Sequence, residues 1–262
     1  MSNIIEVKDL VKTYPGNVQA VKGVTFEVKE GEFFGFLGPN GAGKTTTMNM
    51  LVSLVKKTSG SIIIDGFDLE KKPQEIYKRV GFAMQEIGLD ETATAREMLN
   101  LHGNLYHLPK DKIEQQITKL LKLVELENVA DRYTSTYSGG MRRRFDLALS
   151  LIHEPRVLFL DEPTQGLDPH ARRLIWNHLV ELNKQGMTIF LTTHFMDEAE
   201  ELCQRLAIMD KGEIVTGGTV PELLAKHEVK TLEEVFLNTT GSNLGEEEGN
   251  VNATDPYARS RS

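Results

Sequence analysis

Short apolar runs separated by turn residues recur along the first third of the chain. Residues 4–7, 24–28 and 33–37 read as strands, parted by Pro15-Gly16-Asn17 and by Glu30-Gly31. Residues 61–64 form another such run, closed by Asp65-Gly66, and 80–83 follow a polar helical stretch. Between them Met48, Leu51, Val52 and Val55 repeat at helical spacing, which predicts a helix over 44–54. From about 90 to 153 the pattern changes. Residues 95–107 and 111–124 hold apolar side chains at helical spacing with almost no strand signal. Met141, Phe145, Ala148, Leu149 and Ile152 then share one face of a helix that Ser138 is suited to cap. Strands return at 157–160, 188–192 and 206–209, alternating with a helix whose apolar face is Leu174, Ile175, His178, Leu179 and Leu182. Such alternation predicts a mainly parallel sheet covered by helices. Residues 219–226 and 232–237 read as two closing helices, and 241–262 are Gly, Asn and charge, expected to be disordered.

A chain of 262 residues can bury an ample core. No apolar run approaches the ~18 to 20 residues that span a bilayer, and the first residues lack a charged and apolar leader, so a soluble cytoplasmic chain is expected. The net charge of -8 disfavours nonspecific wrapping of DNA. Cys203 is the sole cysteine, which rules out an internal disulfide and reads as a small packed side chain.

The most specific chemistry lies between the strand at 33–37 and the helix at 44–54. Gly38-Pro39-Asn40-Gly41-Ala42-Gly43-Lys44-Thr45 satisfies the phosphate-cradling pattern G-x-x-x-x-G-K-[ST] at every required position, with Thr46 following. The glycines let backbone N–H groups turn inward as a concavity for anions, and the helix start behind them adds positive potential. Lys44 is expected to reach the β- and γ-phosphates, with the Thr45 hydroxyl on Mg²⁺.

A phosphate loop alone does not say whether the γ-phosphate is hydrolysed or only sensed. Residues 157–162, Val-Leu-Phe-Leu-Asp-Glu, form an apolar strand that ends in two acids. Asp161 is thereby offered to the metal shell, and Glu162 stands one residue further out, where a carboxylate can polarise an attacking water. Hydrolysis with Glu162 as base is the expectation.

Four further segments complete a pattern: Tyr137-Ser138-Gly139-Gly140-Met141 before the acid pair, Gly166-Leu167-Asp168 after it, Thr192-Thr193-His194 at the end of the next strand, and Gln85 after 80–84. Over residues 4 to about 237 the chain resembles the nucleotide-binding subunit of ATP-binding cassette (ABC) transporters. Gly-Gly-Met-Arg-Arg-Arg144, Gly-Leu-Asp-Pro-His-Ala-Arg172 and Thr-Thr-His-Phe-Met-Asp-Glu-Ala199 resemble the branch serving drug, antibiotic and ion exporters. Tyr137 and Met141 stand where the family most often has Leu and Gln, a variation associated with that branch.

The resemblance implies an α/β fold: a P-loop NTPase (RecA-like) core with an N-terminal antiparallel β subdomain and an α-helical subdomain. It implies an ATPase domain over 1–240, with core and β subdomain about 1–85 and 155–217, helical subdomain about 86–154, and closing helices about 219–237. It also implies a head-to-tail pair around two ATP–Mg²⁺. In that pair Ser138, Gly139, Gly140 and Asp168 act on the partner's nucleotide, Gln85 touches Mg²⁺ and water, His194 orients Glu162, and Tyr14 stacks on adenine. Taken alone, Ser138 reads as a plain helix cap, Tyr14 as a strand-end core aromatic and Gln85 as a surface residue. The other six histidines read as surface or packing residues.

The implied function is an ATP-hydrolysing subunit at the cytoplasmic face of a membrane. It pairs with a second ATPase subunit, most simply an identical copy, and drives separate integral membrane permease subunits in export; no nucleic acid partner is expected. An importer subunit is the nearest alternative. A cassette ATPase acting on nucleic acid or ribosomes is further off, because the chain has neither a long heptad insert nor a second tandem cassette.

Overall fold

The computed structural model describes residues 2–85 and 87–241. All but the first residue of the 241–262 tail, whose disorder was the expectation, lies outside the described residues.

The strands are β1 (Asn3–Tyr14), β2 (Val18–Lys29), β3 (Phe33–Leu37), β4 (Ser59–Ile64), β5 (Phe67–Asp68), β6 (Val80–Ala83), β7 (Val157–Asp161), β8 (Thr188–Thr193), β9 (Arg205–Asp210) and β10 (Glu213–Gly218). The helices are α1 (Lys44–Leu51), α2 (Pro73–Tyr77), α3 (Ala95–Leu105), α4 (Lys110–Leu123), α5 (Gly139–Leu151), α6 (Pro169–Lys184), α7 (Met196–Leu202), α8 (Val220–His227) and α9 (Leu232–Thr240). One sheet has the order β2-β1-β4-β5 with every pairing antiparallel. The other has the order β10-β9-β3-β8-β7-β6, parallel throughout except for β10. The antiparallel sheet, the mainly parallel sheet and the helices agree with the α/β expectation.

Local sequence departs from the outcome at four places. β1 and β2 are each 12 residues long, far beyond the predicted cores. The register of their ladder shifts between Val7 and Leu10 and again before Val11, so the two-residue alternation that marks a strand is broken inside it. α1 ends at Leu51 rather than 54, because Ser53 takes a left-handed φ of 62° and the N–H groups of Leu54 and Val55 both donate to Asn49 O. α7 and β10 had no clear signal: one is a short acidic helix, the other a half-exposed edge strand.

Alternation along β3 divides the core. Phe34 and Phe36 face β2 and α1, where the rings of Phe26, Phe34, Phe36 and Phe190 pack with centroids 4.9 to 5.9 Å apart. Phe33 and Leu37 face the opposite layer, which joins the core of α3, α4 and α5 to that of α6, α7 and α9. Gly35 lies between them with a reason of its own: a Cβ there would stand 2.5 Å from Cys203 Sγ. Cys203 is therefore a packing residue, and burial pushes its thiol far up from its ordinary value.

The register of the parallel sheet sets the ends of three strands level. Leu37, the last residue of β3, pairs with Thr193 of β8, and Asp161, the last residue of β7, pairs with Thr192. The segments leaving β3, β7 and β8 therefore emerge side by side at the carboxyl edge, where open α/β sheets form their ligand crevices.

Candidate active site

The loop leaving β3 is held down from behind. A Cβ on Gly38 would lie 2.3 Å from Met209 O, and one on Gly43 would lie 2.6 Å from Ala20 O. Gly41 and Gly43 take φ of 77° and 101°, which favours glycine, and Gly212 N–H donates to Ala42 O at 3.0 Å. Ahead of this backbone lies a cavity of about 240 Å³ bounded by residues 40–46 together with Ala20, Gln85 and Glu162. Gly38 and Pro39 lie behind it, their carbonyls accepting from Lys44 Nζ at 2.6 and 3.0 Å. The first-turn N–H groups of α1, including those of Lys44, Thr45 and Thr46, have no i−4 carbonyl within the helix, so they remain for an anion. Lys44 is buried, and its pKa is lowered by that burial against the opposing pull of Glu162 and Asp161.

The carboxylates stand across from it. Asp161 accepts at Oδ1 from Thr45 Oγ1 at 3.2 Å and from Thr192 Oγ1. Burial raises its pKa, with both hydroxyls working against the rise. Glu162 follows with a left-handed φ of 47°, a conformation that costs a non-glycine residue on the order of 1–3 kcal/mol. Its N–H donates to Thr192 O at 3.1 Å and lies 3.2 Å from Thr192 Oγ1. Glu162 Oε1 lies 3.2 Å from His194 Nδ1 and 3.7 Å from Lys44 Nζ. Burial works to raise this carboxyl, but His194 and Lys44 outweigh it, and Glu162 titrates below the ordinary glutamate value. Glu162 Oε2 is buried with no hydrogen-bond partner in the protein.

The remaining residues divide in two. Gln85 borders the cavity, and its Nε2 donates to Gln165 Oε1 at 2.5 Å. Ser138, Gly139, Gly140, Asp168 and Tyr14 do not line the cavity. Ser138 caps α5, accepting from Met141 N–H at 3.3 Å, with Ser138 and Gly139 exposed. Asp168 caps α6, and the N–H groups of Ala171 and His170, at 3.0 and 2.9 Å, hold its carboxyl below the usual carboxylate range. Tyr14 ends β1, half-buried, with Lys12 Nζ 4.7 Å from its ring centroid.

The comparisons with known proteins bear on this arrangement. A family description, ABC transporter, matches residues 21–165, more than half the chain. The chain belongs to the ABC transporter family. It is 39% identical over 223 residues to the linearmycin resistance ATP-binding protein LnrL of Bacillus subtilis (strain 168), covering 85% of this chain and 71% of that protein. It is 42% identical over 224 residues to a Nod factor export ATP-binding protein I of Cupriavidus metallidurans, covering 86% and 74%. A solved ATP-binding subunit of an ABC transporter is similar with a TM-score of 0.82 and 28% identity, covering 90% of this chain and 99% of that one. A dimeric ATP-binding cassette in a post-hydrolysis state, bound to ADP and Pi, is similar with a TM-score of 0.73 and 29% identity, covering 82% and 98%. This ABC ATPase is thus an ATP-hydrolysing subunit homologous to export ATP-binding proteins, as its motifs implied. Among the described residues, no helix is long and apolar enough to cross a membrane.

Mg²⁺ can be tested against the residues present. Among the described residues no group of three or more His, Cys, Asp or Glu could hold a metal by itself. Thr45 Oγ1 and the Asp161 carboxylate are hard oxygen donors in mutual contact, which suits a cation that takes its other ligands from phosphate and water.

Three residues of this ABC ATPase contribute contacts that sequence reasoning did not assign. Thr192 bonds both acids, Gln165 holds Gln85, and Glu198 of α7 accepts from Thr164 Oγ1 at 2.8 Å and Trp176 Nε1 at 3.0 Å. Burial raises the pKa of Glu198 despite these donors. Thr192 and Glu198 lie in segments already singled out, though neither was given a contact there, and Gln165, between the acid pair and Gly166, had no signal.

Proposed function

We propose that this ABC ATPase is one half of a head-to-tail pair of identical copies that closes on two ATP–Mg²⁺ and drives separate membrane subunits in export. The observation that supports hydrolysis most directly is the convergence of Lys44 and His194 on one oxygen of Glu162, beside the phosphate loop. A carboxylate kept ionised by its contacts with His194 and Lys44 is suited to accept a proton from water. Lys44, released from the Gly38 and Pro39 carbonyls, reaches the β- and γ-phosphates. His194 orients Glu162 and contacts the γ-phosphate, and Gln85 faces the attacking water. Mg²⁺, when bound, neutralises phosphate charge, and Thr45, Asp161 and Gln85 are the residues that would hold it.

Ser138, Gly139 and Gly140 support the pairing. They form a helix start outside the cavity of their own chain, with Ser138 and Gly139 exposed, suited to cap the γ-phosphate of a second copy, with Asp168 facing that copy's phosphate loop. Tyr14 stacks on adenine. A partner surface for the membrane subunits is suggested by exposed Leu54, Tyr77, Met84, Leu101, Leu105 and Tyr106. Leu54, Tyr77 and Tyr106 border a groove of about 300 Å³ between the parallel sheet's edge and α3 and α5.

The relatives named for linearmycin resistance and Nod factor export make a drug, antibiotic or lipid-like compound the substrate class we favour, with an ion as the remaining option. The chain then works at the cytoplasmic face of the membrane. Purification from its native cell in mild detergent tests this: recovery with an integral membrane protein that stimulates ATP turnover is expected. Recovery with ribosomes or DNA and no membrane protein would overturn the transport reading.

A further inference from the structure

Arg143, in the middle of α5, is buried to 5% exposure. Its guanidinium is directed at backbone carbonyls. Nε donates to Pro163 O at 2.6 Å, Nη2 donates to Asp161 O at 3.0 Å and Glu162 O at 2.8 Å, and Nη1 donates to Met84 O. Asp146 Oδ2 stands 3.4 Å from the same Nη1. These acceptors belong to two separate segments. One is the end of β7 and the turn after it, centred on Glu162 with its left-handed φ of 47°. The other is the residue directly before Gln85. A planar guanidinium with five N–H donors can hold four carbonyls at fixed angles, whereas an ammonium presents three donors from one point.

We propose that Arg143 is a positioning residue for hydrolysis, clamping Glu162 in its strained conformation and tying the Gln85 segment to the same frame. The proposal rests on the reading of Glu162 as base. Because Ser138 caps α5, one helix carries both the cap offered to a second copy and the clamp on its own copy's carboxylate. Closure on the partner's nucleotide and placement of the base are then movements of a single rigid element.

The test is Arg143→Lys in the full-length protein, with MgATP as the probe. The turnover number kcat is expected to fall about 10²-fold, the loss that a misplacement of some 1 Å can produce, while KM stays within about threefold. Arg143→Lys is then combined with Glu162→Gln and single-turnover hydrolysis is measured. A residue that acts through Glu162 adds no further loss to Glu162→Gln, whereas a purely structural role multiplies the two losses. If Arg143→Lys is not recovered folded, Asp146→Asn loosens the guanidinium at nearly constant side-chain size. It is expected to lower kcat about tenfold with KM held, and to add no loss to Glu162→Gln. Turnover within about twofold of wild type in the variant that folds, or losses that multiply, overturns the clamp. Glu162→Gln alone separates the two ideas. Normal turnover there removes the base and the clamp with it, whereas an inactive Glu162→Gln beside a normal Arg143→Lys removes the clamp only.

Discussion

His194 Nδ1 stands 3.2 Å from Glu162 Oε1, and the two residues leave the ends of neighbouring parallel strands, β8 and β7. Lys44, from the start of α1, approaches the same oxygen at 3.7 Å. A buried carboxylate would ordinarily tend to neutralise; here the contacts with His194 and Lys44 reverse that tendency and lower its pKa. The ionised base and the phosphate loop are therefore one electrostatic unit.

Glu162→Gln is expected to bind ATP, to hydrolyse it at least about 10²-fold more slowly, and to accumulate as an ATP-dependent dimer in size-exclusion chromatography. His194→Ala is expected to slow turnover while leaving nucleotide affinity in place. A Glu162→Gln protein that turns over normally would exclude Glu162 as the base.

Lys44→Ala is expected to lose ATP binding, measured by equilibrium titration, since the lysine lining the cavity is removed and Glu162 loses a counter-charge. Mixed with Ser138→Ala, it should regain activity. The mixed pair sets an intact Lys44 loop against an intact Ser138 in one of its two sites. Activity that fails to return at any mixing ratio would count against shared sites.

Gly35→Ala is expected to destabilise the fold by about 1–3 kcal/mol, because its Cβ meets Cys203 Sγ at 2.5 Å in a closely packed layer. For a chain of this size that lowers Tm by roughly 2–4 °C per kcal/mol in a thermal scan. Adding Cys203→Ala should recover part of the loss. No recovery would place the strain elsewhere in the layer.

Asp146 sets a pH dependence of known sign. Burial pushes its carboxyl up to about 6, against the pull of Arg143. Between the ordinary aspartate value of 3.8 and about 6 the folded chain holds a proton that the unfolded chain has released, so this group lowers stability as pH rises through that window. Its share is up to about 3 kcal/mol. Glu162 acts oppositely: its lowered pKa adds stability above the ordinary glutamate value, lost as pH falls through its folded value. Asp146→Asn is expected to flatten the stability-pH curve between 4 and about 6 in denaturant titrations. An unchanged slope would sink the assignment.

Features made from neighbouring residues were legible without a structure. The loop from Gly38 to Thr45, the acid pair after an apolar strand, and the Ser138 cap are each written in consecutive positions; the loop and the cap took the conformations their residues favour, whereas Glu162 is held in a left-handed one. Features spread over a ladder were not. β1 contains a bulge that breaks alternation, and β10 is stabilised as a strand by pairing with β9 rather than by its own half-exposed pattern.

The sequence by itself determined the phosphate loop, the two acids, the cap at Ser138 and most strands and helices but not α7 or β10, because short-range sterics and hydrogen bonding decide the former within a few residues. Only the tertiary structure decided which of them meet. Thr45 and Asp161 are 116 positions apart and touch because the order β3-β8-β7 sets three strand ends level. Lys44 turned to Gly38 and Pro39, the grip of Arg143 on Met84 and Glu162, and Glu198 under Thr164 follow from the same packing. Contacts of that kind depend on sheet order and burial, which no run of neighbouring residues encodes.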